Sequence, residues 1–62
     1  MNEMERLREQ LESIHEGLND LAMSIISDAI EKGETQRPAL EKQVSQARRA
    51  VAKAIEHLRT AD

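Results

Sequence analysis

Cysteine, phenylalanine, tyrosine and tryptophan are all missing from this 62-residue chain. Without cysteine there is neither a disulfide framework nor a thiolate metal cage, which excludes a disulfide-stapled scaffold and a zinc finger. Without aromatic rings the core must be aliphatic, drawn from six Leu, five Ile, two Val and three Met,. Proline occurs once and glycine twice, so the chain has few places to turn,. No apolar run approaches the roughly 18 residues of a membrane span, and the first ten residues are charged where a signal peptide needs an apolar stretch; the expected address is the cytoplasm.

The length allows one small domain. A domain of this size buries only about 60% of the surface its unfolded chain exposes, and nothing here staples it. The chain is therefore expected to complete its core by association.

What is present is helix-forming. Ala, Leu, Glu, Arg, Gln and Lys dominate, and no segment alternates with period two. In the first half Met4, Leu7, Leu11, Ile14, Leu18, Leu21 and Ile25 recur at spacings of three and four, the pattern of heptad a and d positions,. Leu40, Val44, Ala47, Val51, Ala54, Leu58 and Ala61 repeat the device in the second half. The segment between holds Gly33, suited to the left-handed position that ends a helix, and Pro38, suited to the first turn of the next,. Asn2 with Glu5 three residues on predicts the first N-terminus,.

The predicted fold is all-α: a single domain over 1–62, with a helix at about 2–32, a loop at about 33–36 and a helix at about 37–61. This antiparallel, coiled-coil-like two-helix hairpin is expected to dimerise into a four-helix bundle. Folding about the loop pairs residues whose numbers sum to about 70 to 72, which sets His57 opposite His15.

Charge divides unevenly. The first helix carries eight acids against Arg6, Arg8 and Lys32, for minus five; the second carries Lys42, Arg48, Arg49, Lys53 and Arg59 against Glu41, Glu56 and Asp62, for plus two. Opposite signs favour antiparallel pairing of the two, within or between chains.

From Leu21 to Ile30 the apolar arc widens beyond one stripe, and Met23, Ile26 and Ile30 form a second ridge beside the seam,. Ala50, Ala52 and Ile55 widen the second helix in the same way. These six residues are the expected partner or oligomer interface, and on this reading Ile26→Glu abolishes association.

Catalytic chemistry finds little footing. Ser13, Ser24, Ser27 and Ser45 lie on helices without a paired base, and the two glycines are too far apart to cradle a phosphate. Glu12 and His15 form a Glu-x-x-His pair of the kind seen in carboxylate-bridged metal bundles, with His57 a further candidate ligand. Such bundles need several inward-facing carboxylates, whereas the a and d positions here are almost all apolar, so no metal or other cofactor is expected. Arg48, Arg49 and Lys53 could form a basic strip for RNA or DNA. Against it stand the net charge of minus three and the lack of aromatics for base stacking,. The sequence reading is a non-catalytic protein–protein interaction module, acting as an adaptor, chaperone-like or regulatory subunit that self-associates or covers a partner's helix.

Overall fold

A computed structural model of the chain describes residues 2–60. It contains two helices, α1 (Glu3–Glu31) and α2 (Ala39–Thr60), packed against one another as a hairpin. Ala61, the last position of the predicted second stripe, lies outside the described residues.

The ends of α1 follow from the residues placed there. Asn2 is extended (φ −90°, ψ 168°) and its side-chain oxygen accepts from the Glu5 N–H at 2.7 Å, satisfying one of the orphan donors of the first turn,. At the other end Gly33 has φ 76°, its N–H donates to the Ile30 carbonyl, and the Glu34 N–H donates to the Ala29 carbonyl. These two bonds are the Schellman arrangement, and the left-handed backbone they require is why a glycine stands at position 33.

The second helix begins two residues later than the sequence suggested. Pro38 lies just before the helix, where its carbonyl accepts from the Lys42 N–H at 3.3 Å. Proline crowds the residue before it out of helical conformation, so Arg37 stays in the connection. The connection is accordingly 32–38, longer than expected, and α2 starts partway down α1.

That start shifts the register. Arg48 donates to the Asn19 side-chain oxygen at 2.6 Å, and Leu58 borders the same shallow depression as Met4, Glu5 and Arg8. Residues at the same level therefore have numbers summing to about 67, roughly one turn away from the expected register. His57 stands level with Gln10 rather than with His15. α2, being shorter, flanks α1 from about residue 7 to residue 28, and both ends of α1 overhang.

The helices also present different rows to each other from those the heptads suggested. On α1 the half-buried and buried residues are Glu5, Arg8, Leu11, His15, Leu18, Ala22, Ile25 and Ala29; on α2 they are Glu41, Val44, Ser45, Arg48, Val51, Ala54, Ile55 and Leu58. With a at Leu11, Leu18 and Ile25, and at Val44, Val51 and Leu58, the seam runs along a and e. The predicted d partners Leu7, Ile14 and Leu21 lie outside it, 43%, 51% and 47% exposed. Close approach explains the rotation: e carries Ala22 and Ala29, which are buried near the loop together with Val44 and Ser45,.

The result is a rod 47 Å long and 16 by 11 Å across, with a radius of gyration of 14.6 Å. A compact chain of this length would have a radius near 11 Å. Its accessible surface is 4837 Å², against about 4,000 Å² for a compact monomer of 7.0 kDa,. Among the described residues only Ala22, Ala29 and Val44 are buried apolar ones. No helix is long and apolar enough to cross a membrane among the residues described.

Candidate interaction surface

Two antiparallel helices that meet along a and e place their d and g rows together on one face, and their b rows together on the other. Two observations fix the faces. At the loop end, Leu40 (d) shares a groove with Ile25, Asp28 and Ala29, bringing the two d rows to the same side. On the opposite side Arg48 (e) reaches Asn19 (b).

The d and g face is apolar and almost free of charge. α1 contributes Leu7, Ile14 and Leu21 on d with Gln10, Gly17 and Ser24 on g; α2 contributes Leu40, Ala47 and Ala54 on d with Gln43, Ala50 and His57 on g. Between Leu7 and Ser27, and between Leu40 and Leu58, His57 is the single titratable group on these rows. Asp28 and Glu31 bring charge at the loop end, and Glu3 at the opposite end. Leu40 is 58% exposed, so the d leucines and Ile14 offer large apolar area to whatever lies above them. Depletion of charge from an apolar patch is what distinguishes the core of a protein interface from ordinary surface.

The opposite face holds the charged network. Arg37 grips the Glu41 carboxylate with two nitrogens, the second at 3.0 Å, and also donates to the Ser45 hydroxyl at 3.2 Å. The Ser45 hydroxyl donates in turn to Glu41 at 2.6 Å. Glu41 and Ser45 are both buried, yet among the described residues no buried side-chain polar atom lacks a partner. The Arg37 hydrogen bonds, then that from Ser45, hold the Glu41 carboxyl down to about 2 despite its burial, and the positive charges of Arg37 and Arg48 act in the same direction,. The same pairing raises the Arg37 guanidinium. Glu41 also lies in the first turn of α2, where the helix dipole favours a negative charge,.

The six interface residues expected from sequence fall on three sides. Met23, Ile26 and Ile30 are exposed on α1 near the loop, away from the d and g face. Ala50 lies on the open face, Ala52 on the b row, and Ile55 is half-buried in the a and e seam. The expectation of one ridge assumed an a and d seam; turning each helix by one heptad row disperses the set and brings Leu7, Ile14, Leu21 and Leu40 outward instead. Their signal was in the sequence, as an a and d stripe that one partner helix covers only in part.

The remaining candidates are spread along the rod. Arg48 is half-buried and bonded to Asn19, while Arg49 and Lys53 are exposed. Glu12 is exposed on α1 and His15 is half-buried in the seam, at a different level from His57. Among the described residues no three His, Asp or Glu side chains gather in a way that could hold a metal ion.

The chain matches no known protein family, no curated protein and no solved structure. Its functional reading rests on its own residues.

Proposed function

We propose that this chain is a non-catalytic protein–protein interaction module whose d and g face receives an apolar helix. The observation that carries the reading is the length of one apolar row: four large aliphatic side chains, each more than 40% exposed, run along a face whose flanking row is small or neutral, whereas the exposed Met23, Ile26 and Ile30 cluster near the loop on the other side. With three buried apolar residues among those described, the hairpin has too little interior to be self-sufficient, and the open face holds the apolar area that would complete it,. Enzymatic chemistry has no support from these positions, because no nucleophile, base and orienting group stand together among them.

The test is thermal unfolding followed by circular dichroism, from micromolar to millimolar chain, for the wild type and for Ile14→Glu. The expected wild-type result is marginal helicity at low concentration that rises when the face is covered, with Ile14→Glu abolishing the rise. A wild type that melts cooperatively at one temperature across the whole range, and that Ile14→Glu leaves unchanged, would overturn the reading.

A further inference from the structure

The geometry points to a second copy of the same chain as the occupant of this face, related by a two-fold axis running parallel to the helices, with both loops at the same end. This inference rests on the interaction reading above and names its partner.

Four observations support it. The first is relief. On the open face α1 is a ridge of Leu7, Ile14 and Leu21, while the adjoining stretch of α2 is a trough of Ala47, Ala50 and Ala54. A surface made of one ridge and one trough is complementary to itself when α1 of each copy lies over α2 of the other, which is the isologous condition for a two-fold dimer. The second is charge. The same arrangement lays an acidic helix over a basic one twice, whereas placing α1 over α1 sets acid on acid,.

The third is area. The hairpin is 47 Å by 16 Å across this face, a flat area of roughly 750 Å², close to the ~800 Å² per partner of a stable interface,. It also matches the surface by which the rod exceeds a compact chain. The fourth is Gly17. A glycine inside a helix loosens it, and a Cβ at this position would meet nothing within 4 Å in the hairpin, so intrachain packing does not ask for it,. A two-fold axis along the helices preserves level, so the register of the hairpin recurs across the interface. Gly17 then stands level with Ala50 of the partner subunit, and two of the smallest residues on the face let the backbones approach.

Only one of the two face-to-face pairings satisfies relief and charge together. Turning the second copy end over end would stack ridge on ridge and separate the loops by nearly the length of the rod.

Because the chain lacks cysteine, single Thr35→Cys and Glu9→Cys substitutions admit site-specific spin labels on an otherwise label-free protein. Sedimentation of the full chain together with pulsed electron–electron distance measurements gives the test. The expected result is a dimer in which the Thr35 labels lie about 10 to 25 Å apart, as helices packed at 8 to 10 Å require, with the Glu9 labels also close. Gly17→Leu is expected to weaken the dimer at least 10-fold without lowering the helicity of the dilute chain. A dimer with Thr35 labels about 45 Å apart overturns the arrangement and leaves the interaction face standing. A chain that stays monomeric and weakly helical to 1 mM overturns the second copy as occupant, leaving a foreign helix. A dimer that Ile14→Glu does not affect overturns the interaction face itself.

Discussion

The two long faces of this hairpin are built from the same two helices and differ in almost every physical respect. One carries the Arg37–Glu41–Ser45 network and the Arg48–Asn19 bond, whose polar groups find partners inside the chain. The other carries Leu7, Ile14, Leu21 and Leu40 with little above them and almost no charge around them. Polar groups must be satisfied locally when they are desolvated, so the charged face is closed within one chain. Apolar area has no such directional requirement, and it remains available to another helix at no cost in unmade hydrogen bonds.

The largest effect should come from placing one charge on each face. Ile14→Glu buries a carboxylate at the centre of the open face and is expected to raise the dissociation constant more than 100-fold. Ile26→Glu, on the other side, should change it less than 3-fold, reversing the expectation from sequence. Analytical ultracentrifugation of the two variants at equal concentration decides between the faces, and equal effects would erase the distinction.

Next in size is the acid sensitivity of the closed face. The Glu41 carboxyl sits at about 2 in the folded chain against an ordinary value of 4.5. A carboxyl lowered by folding stabilises the fold above its unfolded value. That contribution is lost as pH falls from about 4.5 toward 2, because the unfolded chain then binds the proton more readily. Urea melts across this window should show stability falling with acid, and Glu41→Gln should flatten that dependence while lowering stability at pH 7.

Smaller again is Arg48→Ala, which removes the cross-helix bond to Asn19. It should cost about 0.5 to 1.5 kcal/mol, read as a shift in the denaturation midpoint with helix content unchanged. The smallest effect separates the hairpin from its assembly. Gly17→Ala should stabilise the isolated helix by about 0.5 to 1 kcal/mol, since the added methyl meets open space,. If the open face is covered at Gly17, the same change weakens association, so helicity of the dilute chain and affinity move in opposite directions.

Much of the local structure is legible in the residues. Asn2 caps α1 and Gly33 ends it, because each supplies a backbone or side-chain property that those positions require, whereas Pro38, expected in the first turn of α2, stands just before it. The seam was legible only in half. The a row is where the spacing put it, whereas the choice between d and e as its companion depends on which residues let two backbones approach, and the small Ala22 and Ala29 give a weaker hydrophobic signal than Leu7, Ile14 and Leu21. Arg37, Glu41 and Ser45 are not legible as a set. Their spacing of four is visible, but Arg37 stands in the connection before α2 and nothing local says that the Glu41 and Ser45 side chains are buried.

The sequence by itself determined the two helices, both ends of α1, the antiparallel turn and the lack of staples, since these follow from propensity, capping and composition, which act over a few residues. Only the tertiary structure decided the register of one turn, the rotation onto the a and e rows, and hence which apolar residues remain outside. Those are collective outcomes of where the loop lets α2 begin and how closely small side chains let the helices pack.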